Sequence, residues 1–327
     1  NLYVSSGKVN WVELGFMIIM VSVAYMVSYH VNEIFIFDTM LFVIGAKNID
    51  YKKICFVYIC IAVTLLCFAM YLSGKGYIAD YIYQSERGVR HSLGICYPTD
   101  FMAHIFFLFA VYICYRSDKL TFSEIVLMLV IGLTAYHWTY ARNSTICVLV
   151  LCFMCLIIKI LRLLHVRLTD YKWTNLLSLV IIIAFMIWIF LMTHYDEGKV
   201  FYAKLNQLVS TRLQLSAQGY QTYGISMFGN VIQENGLAFG GVSVANQYFF
   251  LDAYFVRVLI KYGYLFAIVI SVMFIRLFMK MRKYRKDYIL AVLLAIVFFG
   301  MTDYQVLYIA YNPIWLFLFA NFKRGQK

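Results

Sequence analysis

The residues of this sequence that could perform chemistry are charged side chains placed beside long apolar stretches. An arginine guanidinium is planar and always ionised, so it binds phosphate oxygens in pairs better than a lysine ammonium does. The arginines in such positions predict a site for an anionic group such as a pyrophosphate, and they are Arg87, Arg90, Arg142, Arg212 and Arg257. The alternative is that each one contacts lipid headgroups or pairs with a nearby carboxylate.

Arg142 lies in a very short polar turn between two apolar stretches. A charge drawn toward hydrocarbon costs roughly 2.5–3.5 kcal/mol at the centre of a membrane and less at its edge. A sequence tolerates this cost most easily where the side chain points into a wet cavity. Extension of the side chain to the membrane surface is the alternative.

Asp252 is the carboxylate that we expect to act beside these arginines. It lies five residues before Arg257, where a long polar segment returns to an apolar one. Burial would raise the pKa of this carboxyl and a neighbouring arginine would lower it, so one interpretation is a proton acceptor. An ion pair with Arg257 that holds the segment in place is the other. Further candidates for a proton acceptor are His91, His137, His194, Glu234 and Asp303.

The composition shows what kind of protein must position these residues. Of the 327 residues, 63% are hydrophobic and 13% are charged, with a mean hydropathy of +0.77. Soluble domains are about 45–50% apolar and about 25% charged. A soluble enzyme, a disordered chain and a secreted disulfide scaffold are therefore excluded, and we expect one integral membrane domain over residues 1–327.

The fold class predicted from the apolar stretches is an all-α polytopic membrane protein with about ten transmembrane helices. A helix needs roughly 17–25 apolar residues to cross the hydrocarbon. Val31–Ala46 is short and carries Asp38, but it must also cross the membrane if successive loops are to lie on alternate sides. The other predicted spans are Trp11–Tyr29 (retained, not a cleaved signal), Ile54–Leu72, Phe101–Tyr115, Phe122–Tyr140, Thr145–Leu161, Leu176–Met192, Tyr264–Met279, Ile289–Met301 and Val306–Ala320.

The basic residues predict the orientation. Alternate loops hold 19 of the 28 lysines and arginines, and such loops face the cytoplasm. Both termini are therefore expected in the cytoplasm, and the net charge of +12 reports topology, with no nucleic acid as partner. Two long segments remain outside: a first loop over residues 73–99 and a large cap over residues 194–250, whose apolar residues predict short ordered helices.

Several motifs of other enzymes do not occur in the sequence. We find no P-loop, no Gly-x-Gly-x-x-Gly after a strand, no His-Glu-x-x-His and no Asp-x-Asp pair. Cys152 and Cys155 have redox or metal spacing, but they lie inside a predicted span without polar companions, which favours packing. Chemistry without a metal, a nucleotide or another cofactor is expected.

At the level of motif order, the chain resembles the Wzy-type polysaccharide polymerases and, more distantly, the O-antigen ligases. The similarity extends over nearly all the chain. Ala141 stands where the family has a serine, and Asp252 stands where ligases have a histidine, with Gly263 eleven residues on. The motifs are Ile44–Lys53, Gly88–Gly94 with Tyr97-Pro98, Thr139–Thr145, Leu208–Leu213, Tyr223–Gly229, Leu251–Tyr254 with Tyr262-Gly263, and Asn312-Pro313.

The resemblance implies a GT-C-like membrane glycosyltransferase that polymerises undecaprenyl-pyrophosphate-linked oligosaccharide repeat units. The reaction would take place at the outer face of the bacterial cytoplasmic membrane. Partners in the same pathway would be a flippase and a chain-length regulator. The catalytic candidates are then Asp252, Arg142 and Arg212, and the substrate-binding candidates are Arg87, Arg90, Arg257, Tyr223 and Tyr254.

Three other functions stay open at the level of sequence, and one of them is a non-catalytic assembly subunit, which would tolerate loss of Arg142 or Asp252. A ligase would share the fold and the site but transfer the glycan to a different acceptor. A transporter or flippase for lipid-linked sugars would need charges along a path to both faces, whereas charge inside the predicted spans is nearly limited to Glu13 and Asp38.

Overall fold

The structure, a computed structural model, describes residues 11–85, 88–171, 173–236 and 248–322. Within them, six helices are long and apolar enough to cross a membrane, which indicates a mostly helical multi-pass membrane protein. These are α1 (Trp11–Val31), α3 (Tyr51–Gly74), α4 (Pro98–Arg116), α5 (Phe122–Thr139), α6 (Arg142–Leu163) and α11 (Gly263–Lys283); shorter or only partly described apolar helices are α2 (Phe35–Gly45), α7 (Trp173–Thr193) and α12 (Asp287–Gly300).

Helix α4 forms the centre of the bundle. It contacts α3, α5, α6 and α12, and most of its residues are buried, whereas the other long helices expose wide apolar faces. Pro98 at the first position fits this helix start, since the missing N–H would have no partner there. Its neighbour α5 begins with a capping box between Thr121 and Glu124. The exposed apolar faces of the surrounding helices are those that lipid would cover.

The connections between helices gather at two ends of the bundle. One end, which we call the basic end, joins Lys47 to Glu13 at 3.3 Å and Arg162 to Asp118 and Asp287 at 2.8 and 2.9 Å. The other, which we call the cap end, carries the two long segments that were predicted to lie together on one side. The two ends of the bundle thus differ in their charged groups, with ion pairs of loop residues at the basic end.

The predicted helix over Val306–Ala320 is wrong. Only two short 3-10 turns form here, Gln305–Leu307 and Pro313–Leu318, yet the segment runs buried from the cap end back to the basic end. Irregular backbone can lie at membrane depth only where protein groups satisfy it. Lys280 Nζ donates to the carbonyl oxygens of Phe317, Leu318 and Ala320, at 2.7 to 3.0 Å. Side chains thus replace the hydrogen bonds that a helix would have supplied.

Two layers, a β-hairpin and the cap, cover the cap end. The first loop forms a hairpin of β1 (Ile82–Ser85) and β2 (Gly88–His91), with Tyr83 opposite Arg90. The cap contains α8 (Val200–Leu208) and α9 (Arg212–Tyr223) before the chain returns through α10 (Tyr254–Lys261). A separate hydrophobic cluster joins the cap to α7 and α10; it includes Met192, Leu213, Leu215, Leu251, Val256 and Ile260. The expectation of an ordered cap with short helices is confirmed for its described part.

Two glycines allow the cap backbone to cross the junction of α10 and α11. Gly229 and Gly263 have φ of 91° and 82°, and their backbones touch each other. The amide of Asn230 donates to the Lys261 carbonyl at 3.1 Å, and that of Tyr264 donates to the Ser226 carbonyl at 3.1 Å. The crossing brings together two segments noted in the sequence, Tyr223–Gly229 and Tyr262-Gly263, which lie far apart along the chain.

We expect Gly229→Ala to destabilise the protein by about 3 kcal/mol or more, because the left-handed conformation is strained and the new carbon has no room. A Cβ at this position would lie 2.0 Å from the carbonyl oxygen of Lys261. The measurement is the thermal unfolding midpoint of detergent-purified protein. Gly74→Ala is the matched control, because a Cβ there meets nothing within 4 Å. Equal midpoints for the two variants would contradict the tight crossing.

Candidate functional site

A cavity among the described residues lies at the cap end and has a volume of about 540 Å³. Its wall is built by the β-hairpin, the start of α4, the turn between α5 and α6, the turn between α8 and α9, and the segments at 248–252 and 303–305. Charged and amide side chains on this wall are Arg90, Asp100, Arg142, Asn143, Arg212, Asp252, Asp303 and Gln305. With Gly236, seven separate parts of the chain therefore contribute to one site.

Four of the eight predicted site residues line this cavity: Arg90, Arg142, Arg212 and Asp252. Arg257, Tyr223 and Tyr254 lie outside its lining. Arg87 falls outside the described residues, so its predicted role stays a prediction. The cavity therefore brings together all three residues predicted to be catalytic and one of those predicted to bind substrate, Arg90.

Arg212 is the central charge of the site. Its Nε donates to the Thr302 carbonyl oxygen, its Nη1 to the Val209 carbonyl oxygen at 3.2 Å, and its Nη2 lies 3.3 Å from Asp303 Oδ1. The same Nη2 lies 3.6 Å from Asp252 Oδ2. Burial alone would lower the pKa of Arg212, but the two carboxylates raise it above its usual value. The guanidinium is therefore charged and held in one orientation.

The two carboxylates around Arg212 differ in their surroundings. The side chain of Asp303 is 4% exposed; its Oδ1 faces Arg212 and its Oδ2 accepts a hydrogen bond from Thr302 Oγ1 at 2.7 Å. The side chain of Asp252 is 20% exposed and touches Arg212 only at longer distance. Asp303 thus serves as the fixed counterion, whereas Asp252 is open to the cavity and to a ligand.

The ionisation of Asp252 is tuned by this environment. Burial raises the pKa of its carboxyl, Arg212 lowers it and the negative charge of Asp303 raises it, with the result at about 6. A carboxylate with such a pKa accepts a proton more readily than an ordinary aspartate does. At neutral pH it is still mostly ionised, as a general base must be.

Arg142 begins α6 and reaches across to the turn between α8 and α9. Its Nη2 donates to the carbonyl oxygens of Gln207 and Leu208 and to Ser210 Oγ, the first and last at 3.2 and 3.3 Å. In this turn both Ser210 and Thr211 have positive φ, of 56° and 65°. Such conformations cost about 1–3 kcal/mol each and persist only where the surroundings impose them. The arginine and the strained turn together form one rigid side of the cavity.

Arg90 connects the hairpin to the bundle. Its Nε donates to the carbonyl oxygen of Thr139, the last residue of α5, at 3.0 Å. The base of the hairpin is fastened by Asp80, whose carboxylate lies 2.6 Å from His91 Nδ1 and accepts from the Leu93 amide at 2.8 Å. Arg90 therefore both caps a helix end and presents its charge at the cavity wall.

Arg257 lies behind the cavity wall in an ion-pair network. Its Nη1 and Nη2 bind both carboxylate oxygens of Glu234 at 2.5 and 2.7 Å, and Lys261 joins Glu234 to Glu33 at 2.9 and 2.6 Å. Its guanidinium also lies over the rings of two wall residues, Phe250 and Tyr304, at 4.9 and 5.2 Å. The ion pair considered for Asp252 and Arg257 is therefore replaced by pairs of Asp252 with Arg212 and of Arg257 with Glu234.

The network around Arg257 fastens the cap to the helices. Burial raises the pKa of Glu234, but the charges of Arg257 and Lys261 hold that pKa below its usual value, so the carboxylate is ionised. Glu234 also accepts from the Leu251 amide at 3.2 Å, beside the bridge between Asn235 and Phe249. Arg257 is thus a positioning residue for the wall.

The two tyrosines predicted to bind substrate pack against other side chains away from the cavity lining, Tyr223 half-buried and Tyr254 buried. The hydroxyl of Tyr223 accepts from the Gln233 amide at 3.2 Å, and its ring stacks on Phe249 at 6.2 Å. Tyr254 is buried in the hydrophobic core beside Phe255. Other aromatic residues take the wall positions: Tyr83, Tyr97, Tyr140, Tyr248, Phe250 and Tyr304.

Asp100, Gln305 and Tyr304 are wall residues that the sequence did not identify as site residues. Gln305 and Tyr304 occur at the edge of a stretch predicted to be an ordinary span, and Asp100 occurs in the first turn of α4 after Pro98. Polar residues at the edges of otherwise apolar spans are a signal that could have identified Asp100 and Tyr304. No group of three or more histidine, cysteine, aspartate or glutamate side chains in the described part of the chain could hold a metal ion.

Comparisons of the chain with protein families, with curated proteins and with solved structures find no match.

Proposed function

We propose that this protein is a membrane glycosyltransferase that polymerises oligosaccharide repeat units carried on a polyprenyl pyrophosphate. The observation that carries the proposal is the cavity shared by Arg90, Arg142, Arg212 and Asp252. Arginines suit the pyrophosphate, the carboxylate suits a proton transfer, and the aromatic wall suits sugar rings. The motif resemblance to the Wzy-type polymerases supports the same function.

The orientation proposed for the protein puts the basic end in the cytoplasm and the cavity outside. Loops rich in lysine and arginine stay on the cytoplasmic side of a membrane, and the basic end carries such loops. We place the protein in the bacterial cytoplasmic membrane with ten crossings, the last of them made by the irregular segment before residue 322. Repeat units delivered to the outer leaflet would then meet the site there.

In the proposed reaction, a hydroxyl oxygen of one lipid-linked unit attacks the anomeric carbon of another. The new carbon–oxygen bond forms as the bond from the anomeric carbon to the pyrophosphate oxygen breaks, and the pyrophosphate leaves with the electron pair. The proton of the attacking hydroxyl passes to Asp252. Arg142 and Arg212 stabilise the charge that develops on the leaving oxygen.

The test is to incubate the purified protein with the lipid-pyrophosphate-linked repeat unit of its own cell as sole substrate. We expect a ladder of glycans that differ by one repeat unit, because donor and acceptor are then the same molecule. A single transfer product, formed only when a different acceptor is added, would favour a ligase. Failure to consume the authentic repeat unit would refute the proposed activity.

A further inference from the structure

Gln305 and Asp100 form a polar pair on the cavity wall that the proposed reaction does not use. Gln305 Nε2 donates to Asp100 Oδ1 at 2.8 Å, and this contact joins the segment after α12 to the first turn of α4. Gln305 is 1% exposed and Asp100 is also buried. The pair is therefore a built part of the wall, distinct from the arginines.

The carbonyl oxygen of the Gln305 side chain has no hydrogen-bond partner among the described residues. The orientation of the Gln305 side-chain amide follows from its partner, because the Asp100 carboxylate accepts hydrogen bonds and so faces the amide nitrogen. The oxygen must then point away from the carboxylate. A buried acceptor without a donor is unfavourable, and such groups in native proteins are commonly completed by a ligand or by water.

The pair is held rigidly enough to recognise a ligand. Gln305 opens a 3-10 turn whose next residue, Val306, accepts hydrogen bonds from Asn312 Nδ2 and Trp315 Nε1, both at 2.8 Å. Asp100 is fixed by its place in α4, where its amide donates to the Tyr97 carbonyl at 3.1 Å. Preorganised acceptors favour a ligand because little ordering is left to occur on binding.

We propose that Gln305 Oε1, supported by Asp100, binds a hydroxyl or amide N–H of a sugar ring, so that this side of the cavity recognises the glycan. An anion is excluded as its ligand, because an amide oxygen beside a carboxylate repels phosphate oxygens. The aromatic rings of Tyr97 and Tyr304, which line the same wall, supply faces on which a sugar ring packs. The inference rests on the proposed function, and it divides the cavity into a pyrophosphate part at the arginines and a sugar part at Gln305.

The experiment compares two probes in equilibrium binding to the purified full chain: a polyprenyl pyrophosphate without sugar, and the same lipid carrying one hexose. Gln305→Met keeps the length of the side chain but removes its acceptor. It should weaken binding of the hexose-bearing probe about tenfold and leave the sugar-free probe within about twofold. Arg142→Ala should weaken both probes alike. Gln218→Met, on the exposed face of α9, is the matched control.

A second variant guards against a folding defect. Gln305→Asn keeps the buried amide but withdraws its oxygen by about one carbon–carbon bond, ~1.5 Å. It should show the same selective loss for the hexose-bearing probe. If a variant that remains folded binds both probes as the wild type does, the inference is refuted and the proposed function stands. If the wild type binds neither probe, both are refuted.

Discussion

Replacing Asp252 with asparagine is expected to lower the rate of glycan polymerisation by about 10²- to 10⁴-fold, the usual contribution of a positioned general base. Asparagine preserves the size of the side chain but cannot take the proton of the attacking hydroxyl. Asp252 is the more exposed of the two carboxylates beside Arg212, at 20% against 4% for Asp303. The measurement is the initial rate of ladder formation from the lipid-linked repeat unit.

The pH profile of the wild type provides an independent check on the same residue. Burial raises the pKa of Asp252 to about 6, with Arg212 opposing and Asp303 adding to that rise. A general base must be ionised, so the rate should rise with pH through about 6 and level off above it. The asparagine variant should lack this rise.

Stability should change with pH in the opposite sense. The folded-state pKa of Asp252 is raised. Its contribution to the free energy of unfolding is therefore fully present at a pH below the ordinary pKa of 3.8, and it is lost as the pH rises through about 6. At pH 8 the Asp252→Asn variant should therefore be at least as stable as the wild type. Loss of activity together with loss of folding at pH 8 would indicate a structural role instead.

The matched control for Asp252 is Asp196→Asn. Asp196 is also a carboxylate of the cap, but it is half exposed, pairs with Lys199 at 3.4 Å and does not line the cavity. Its replacement should leave the rate near the wild-type value. A rate of Asp252→Asn close to that of this control would remove Asp252 from the reaction.

Replacing Arg212 with methionine is expected to abolish polymerisation and to lower the free energy of unfolding by about 3–5 kcal/mol. The change removes the cation that Asp252 and Asp303 share and leaves two carboxylates beside each other in a largely buried place. It also leaves the carbonyl oxygens of Thr302 and Val209 without this donor. Unfolding of detergent-purified protein and ladder formation measure the two effects.

A double variant separates the structural effect from the chemical one. Arg212→Met combined with Asp303→Asn removes one of the repelling charges, so part of the lost stability should return. Activity should not return, because the group proposed to stabilise the leaving pyrophosphate is still absent. Recovery of both together would show that Arg212 acts only through folding. Arg285→Ala at the basic end, where an exposed pair with Asp170 is broken, is the control for a lost arginine.

The general organisation of the fold could be predicted because it depends on local properties of the chain. Apolar stretches of membrane length mark helices, and the lysines and arginines between them separate the two ends of the bundle. The final segment is the exception. Its apolar residues predicted a helix, but other helices supply donors to its backbone: Lys280 Nζ, and the hydroxyl of Tyr58, which donates to the Tyr311 carbonyl oxygen at 2.6 Å. Such distant partners leave no mark in a local pattern.

The site could be predicted in part for the same reason. Arg142, Arg212 and Asp252 were identified because each charge lies beside an apolar stretch, where an uncompensated charge is costly. The partner of Arg257 was missed, since Asp252 is five residues away in sequence, whereas Glu234, 23 residues away, reaches it through the fold. Gln305 was missed because an uncharged amide stands out little in a long apolar segment.

The sequence by itself determined that the chain is a multi-pass membrane protein, and it predicted that arginines and a carboxylate would lie together. These properties follow from sums over neighbouring residues. Only the tertiary structure decided which charges neutralise each other and which remain at the cavity. Electrostatic and hydrogen-bond energies depend on distances of a few ångströms and on burial, and those are set by contacts between segments far apart in the chain.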